Sequence, residues 1–239
     1  MKNSIIVLAV IAACIVSACN KGGAAANARV KTISSPRGVT EYTYNTDNKI
    51  LSVRNFDGSK LNFTYKDKTI TQTRVDSIRG ESITSNIYLN GAGYVDSSIA
   101  TYQNNSYVEV YTHDADGGVT SLKNLMSGSI YTVTNSTFKD GNETSRIICD
   151  SSSNPRMKIY FEYLPDKLNT VAYQNMGMKF LGSDSKNLIK KFIQVLPSGD
   201  TVRVMNINYH YDDKGRVSQK VVYDARRGMM ADSSVITYY

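Results

Sequence analysis

Few residues of this chain have the type and spacing to do chemistry. His113-Asp114-Ala115-Asp116-Gly117-Gly118 sets two carboxylates close together, which could offer oxygens to calcium. An EF-hand loop needs further oxygen ligands and a glutamate beyond its glycine, and this run lacks them. Asp and Gly are also the residues of tight hairpin turns, so the run reads as a turn, as does Asp212-Asp213-Lys214-Gly215. The other histidine, His210, has no His or Cys at the short spacing a zinc site uses, and no metal is expected. Cys149 follows Arg146-Ile147-Ile148 on an apolar strand and reads as a small buried hydrophobe. Gly-x-Ser-x-Gly, His-Glu-x-x-His and phosphate-binding glycine loops are missing. The acids fall mostly in turns, where a general acid is poorly desolvated. The chain therefore reads as a non-enzyme without a cofactor.

Seventeen tyrosines and no tryptophan remain as a resource. Tyrosines that line an exposed face can stack on sugars or peptides, but their recurrence at fixed positions fits cross-strand packing better. Tyr209 and Tyr211, with Met176, Met178 and Phe180, are the candidate ligand contacts.

The elements that must position these residues are strands. Leu61, Phe63 and Tyr65 alternate with Lys60, Asn62, Thr64 and Lys66. Met157, Ile159, Phe161 and Tyr163 alternate with Lys158, Tyr160 and Glu162, and Ile207, Tyr209 and Tyr211 with Asn206, Asn208 and His210. One face is apolar and the other wet. Turn signals such as Asp57-Gly58, Asp140-Gly141 and Ser198-Gly199 separate the runs. An aromatic or aliphatic pair precedes alternate turns: Tyr42/Tyr44, Phe63/Tyr65, Ile87/Leu89, Glu109/Tyr111, Ser136/Phe138, Phe161/Tyr163, Tyr209/Tyr211 and Ile236/Tyr238. The copies at 109 and 136 keep only the second member of the pair. The steps centre on a period of about 24 residues, two strands and two turns, so each copy is one hairpin of an array. The expected fold is all-β: a long antiparallel meander of tyrosine-rich hairpins, curled into a barrel-like, water-soluble sheet.

One segment breaks the pattern. Asn169 to Phe192 lacks clean alternation and holds Met176, Met178, Phe180 and Leu181, which would plug one opening of the curled sheet. A ligand-gating loop is the sharper reading of it. Membrane insertion is not expected, because Arg54, Lys60, Lys66, Lys158, Glu162, Arg203 and Lys220 occupy the second face. Charges at mid-bilayer cost about 2–4 kcal/mol each.

The N-terminus reads as an address. Lys2 precedes an apolar run from Ile5 to Val16, too short to span a bilayer but of signal-peptide length. Val16-Ser17-Ala18-Cys19 then resembles the lipobox of bacterial lipoproteins, which implies removal of residues 1–18 and acylation of Cys19. Residues 19–29 form a small, polar tether, and 30–239 a single β domain. With Cys19 acylated, Cys149 has no partner for a disulfide. The net charge of +7 is dispersed among acids, and nucleic acid is not an expected partner.

Tyr209-His210-Tyr211-Asp212-Asp213-Lys214-Gly215-Arg216-Val217 resembles the YD repeat, Tyr-x-Tyr-Asp-x-x-Gly-Arg, whose proteins use long antiparallel meanders. The order lipobox, linker, tyrosine-rich hairpins, Ser183-Asp184-Ser185-Lys186-Asn187-Leu188 and this copy also resembles a family of Gram-negative lipoproteins. That family is known only as a domain of unknown function with a porin-like fold. The resemblance implies a lipid-anchored outer-membrane protein of the cell envelope. Some lipoproteins sent to the cell surface carry acids after the acylated cysteine, and none follows Cys19, so the periplasmic face is favoured. The function expected is a non-catalytic binding or scaffold module for a glycan, peptidoglycan or an envelope protein. The alternatives are a glycan-active enzyme and a carrier of an apolar ligand inside the sheet.

Overall fold

Apolar residues spaced by two would be scattered around a helix, but they share one face of a strand. The computed structural model describes residues 28–77 and 80–239. Cys19, the leader and most of the tether lie outside the described residues. The strands are β1 (Val30–Ser35), β2 (Gly38–Tyr44), β3 (Ile50–Arg54), β4 (Lys60–Lys66), β5 (Thr69–Val75), β6 (Ser82–Leu89), β7 (Val95–Tyr102) and β8 (Asn105–His113). They continue as β9 (Val119–Met126), β10 (Ser129–Lys139), β11 (Asn142–Cys149), β12 (Pro155–Leu168), β13 (Asn187–Val195), β14 (Thr201–Tyr211), β15 (Val217–Asp224) and β16 (Met229–Tyr238). Each pairs antiparallel with its sequence neighbours, and β1 pairs with β16, placing Ile33 opposite Ile236. The expected meander is therefore a closed barrel, with no edge left to pair with another chain.

All eight repeat pairs fall on the even-numbered strands, near the end where those strands turn back or the chain finishes. Inside, Tyr42, Ile50, Phe63, Ile70, Ile87, Val95, Val217 and Ile236 form the buried core. The register slips soon after most of these turns. Thr43 pairs Ser52 but Tyr44 pairs Ile50, and His210 pairs Gln219 but Tyr211 pairs Val217. Similar slips follow β6, β8, β10 and β12. A bulge bends its strand and raises the local twist, and a repeated set of them helps a sheet to close.

Tyrosines serve these bulges. The hydroxyls of Tyr44, Tyr65, Tyr163, Tyr209 and Tyr238 donate to the carbonyls of Val30, Ile50, Glu143, Ile189 and Val217, at 2.5, 2.9, 2.7, 2.9 and 2.9 Å. Every acceptor flanks a register slip. The best YD-like copy shows the remaining parts. Asp212 accepts the backbone N–H groups of Lys214 and Arg216, Gly215 takes φ +73°, and Arg216 Nε donates to Asp212 Oδ2 at 2.7 Å. The Arg216 guanidinium then covers the Tyr238 ring at 4.3 Å.

The outer face is mixed: polar pairs share it with exposed Tyr88, Ile99, Val110 and Tyr160. Thr32 shares a hydrogen bond with Thr237, Thr43 with Ser52 and Thr73 with Thr84, and Lys191 pairs with Glu162. Two of the charges expected outside are inside instead. Arg203 shares a face with Met205 and Ile207, and Lys220 lies opposite Tyr209. For Lys220 the bulge after Val217 inverts the alternation; for Arg203 the strand end is exposed, so an inward charge stays wet.

Candidate functional site: a capped, wet lumen

Between β12 and β13 the chain leaves the wall and crosses the end of the barrel as two short 3-10 turns, Tyr173–Met176 and Lys179–Leu181. Phe180 is buried against Phe63, with ring centroids 6.3 Å apart, and Met176, Met178 and Leu181 pack on the same core. The segment is stitched to the rim on several sides. Buried Asn175 donates to Ala28 O at 3.0 Å, Gly177 O accepts Ile50 N at 3.2 Å, and Ser183 N donates to Gly117 O at 2.7 Å. Lys186 N donates to Gly141 O, and Thr170 Oγ1 accepts Val217 N while bonding the Tyr238 hydroxyl. Gly177 has φ +68°, and a Cβ there would lie 2.7 Å from Ile50 N. Such bonding describes a plug rather than a gate.

Of the five residues expected to touch a ligand, Tyr209 is committed to the Ile189 carbonyl. The Tyr211 ring lies under Lys167 Nζ at 4.8 Å. Met176, Met178 and Phe180 belong to the plug and its core, although Phe180 also borders a depression of about 440 Å³ beside Tyr65 and Tyr94. The Asp114 carboxylate accepts the N–H groups of Asp116 and Gly118, the turn role read from the sequence. His113 stacks on Tyr94, with centroids 5.4 Å apart, and burial lowers its pKa from the ordinary value. Cys149 is buried opposite Val133.

The inner wall of β8 to β11 carries polar groups that gather around two cavities. Under the plug, a cavity of about 360 Å³ is bordered by Tyr111, Ser136, Glu143, Arg146, Tyr173 and Asp184. Glu143 receives Arg146 Nε on Oε1 at 2.8 Å and Nη2 on Oε2 at 2.7 Å, while Ser136 Oγ donates to Oε1 at 2.6 Å. Bidentate pairing of this kind fixes both groups in direction as well as charge. Burial pushes the Asp184 carboxyl up, against the pull of hydrogen bonds from the Ser185 and Tyr173 backbone.

Farther from the plug, a second cavity of about 550 Å³ is bordered by Gln72, Ser98, Tyr107, Glu109, Asn124 and Tyr131. Glu109 Oε2 accepts Ser98 Oγ and Tyr111 Oη, both at 2.8 Å, and Asn124 Nδ2 donates to Thr132 Oγ1 at 2.9 Å. Tyr111 borders the first cavity and donates to Glu109, which borders the second. None of these residues stood out as chemistry in the sequence. Their signal was indirect: Glu109 and Ser136 are the two positions where the repeat loses its first apolar member.

The fold has solved counterparts. A porin-like protein from Bacteroides vulgatus superposes with a TM-score of 0.63 at 12% identity, covering 88% of this chain and 99% of that one. A porin-like protein from Bacteroides uniformis does so with a TM-score of 0.61 at 15% identity, covering 87% and 91%. No family model and no curated protein matches the sequence. The likeness is therefore one of fold alone: a closed, porin-like β-barrel.

Proposed function

We propose that this protein is a non-catalytic binding module of the cell envelope, tethered to the outer membrane through acylated Cys19, that holds a small polar ligand in its lumen. The periplasmic face is the side favoured. One observation carries the reading: one end of the barrel is filled by a fixed plug, and the space beyond it is bordered by carboxylates, an arginine, hydroxyls and amides set among apolar side chains. That lining argues against carriage of a wholly apolar molecule, which would cut the charged Glu109, Glu143 and Arg146 off from water without adding a hydrogen bond, at about 1–3 kcal/mol per group. The YD-like and lipoprotein-like sequence features are consistent with an exported, tethered meander.

A second reading, a glycan-active enzyme, draws on Glu143 and Asp184, which border one cavity with burial raising the pKa of Asp184. The hydrogen bonds on both residues fit a structural role better. Glu143 is held on both oxygens by Arg146, and Asp184 braces the plug.

Two measurements test the proposal. Metabolic labelling with an alkyne-tagged fatty acid should mark the wild-type protein and leave Cys19→Ala unlabelled. The purified full-length chain should show saturable protection from thermal unfolding by a polar small solute, with no turnover of it. Labelling that survives Cys19→Ala would remove the tether. Cleavage of a glycoside by the wild type but not by Asp184→Asn would establish the enzyme instead.

A further inference from the structure

We propose that the wall formed by β7 to β10 is a sugar-binding site, taking a neutral oligosaccharide of a few units. The assignment rests on the lumen-ligand reading above and names the class of ligand.

The first argument is where the repeat fails. In the core copies the paired positions are both apolar, and the tyrosine hydroxyls brace the neighbouring backbone. At Glu109 the first position becomes a carboxylate, and the Tyr111 hydroxyl donates to it rather than to a backbone carbonyl. The same stretch of wall holds Ser98, Asn124 and Thr132 at inward positions. Side chains that break a structural pattern and converge on one cavity are placed for a ligand, because they contribute less to the core than the residues they replace.

The second argument is the chemistry of the lining. Both hydrogen bonds that the described residues make to Glu109 fall on Oε2, which leaves Oε1 to accept a ligand hydroxyl. Asn124 spends an amide hydrogen on Thr132 and keeps its carbonyl oxygen. Gln72 on β5 adds a donor and an acceptor to the same cavity. Tyr107, 40% exposed, and Tyr131, 67% exposed, add ring surface. Tyr131 is the extra residue of a bulge between Ile130 and Thr132. Directional acceptors and donors beside aromatic faces suit a ligand whose rim is hydroxyl and whose flat faces are C–H. An anion would meet the Glu109 charge. A cavity of about 550 Å³ lies within the range of small-molecule sites, about 300–1,000 Å³.

The test uses the full-length protein in a zwitterionic detergent free of sugar. The probes are neutral di- and trisaccharides of glucose, xylose and N-acetylglucosamine. Isothermal titration should give saturable binding of at least one. Glu109→Gln should weaken it by about 10–100-fold, the loss of one hydrogen bond to a charged group. Tyr131→Ala, at an exposed ring that the fold does not need, should weaken it as well, and Tyr44→Phe should leave it unchanged. Absence of binding across the set overturns the sugar assignment, as does binding insensitive to both Glu109→Gln and Tyr131→Ala. If amino acids or dipeptides bind in a Glu109-dependent way, the lumen reading stands and the sugar falls. If only a fatty acid binds, both fall.

Discussion

Tyr65 holds its ring against the core while its hydroxyl caps the Ile50 carbonyl, so one side chain supplies both packing and a partner for bulged backbone. Replacing Tyr209 or Tyr65 with Phe keeps the ring and orphans the carbonyl. Each change should cost about 1 kcal/mol in urea unfolding and leave the β circular dichroism unchanged. The same hydroxyls set a pH limit. Burial pushes Tyr65 and Tyr163 up to about 12. Unfolded tyrosine releases its proton near pH 10. Between those values the unfolded state binds fewer protons than the folded one, so stability falls as pH rises. Urea midpoints should hold steady up to about pH 10 and then drop toward pH 12, a loss that Tyr65→Phe with Tyr163→Phe should blunt.

At the scale of elements, the plug is the part without a period. Gly177→Ala forces a Cβ to within 2.7 Å of Ile50 N in a left-handed conformation. It should destabilise the protein by about 2–4 kcal/mol, read by thermal or urea unfolding, through backbone strain and overpacking together. Asn175→Ala strips the buried amide from Ala28 O, and should loosen the plug with amide exchange rising first at Ala28–Val30 and Gly177. How legible these elements were follows from their physics. The even-numbered strands announce themselves, because an aromatic pair at spacing two followed by an Asp- or Asn-led turn is both a strand and a stop. The odd-numbered strands are harder to read: bulges near their starts shift the alternation, as at Val217 and Lys220, so a strict period assigns Lys220 to the wrong face. Phe180 and the methionines could be read as an insertion over the barrel mouth, yet their anchors could not, since Asn175 meets Ala28 and Ser183 meets Gly117 only in space. Glu109 was visible as a weak copy, but the convergence of Ser98, Tyr111 and Asn124 around it needed the register of three strands.

For the whole molecule, closure joins the sixteen described strands in one ring. Repeat arrays with free ends can fray from either terminus, but here the first strand is held by the last. Truncation after Asp232 removes Ile236 and Tyr238, the partners of Ile33 and Val30. It should abolish the single unfolding transition rather than shorten the array, with exchange protection lost around the whole ring. The route of the chain has one more effect. It enters at Ala28 beneath Asn175, on the plugged side, next to where Tyr239 N bonds Arg29 O. Were the chain held through Cys19 as proposed, its plugged end would face the membrane and the cavity beside Glu109 would lie on the side away from it, so solutes would reach that cavity without passing the surface.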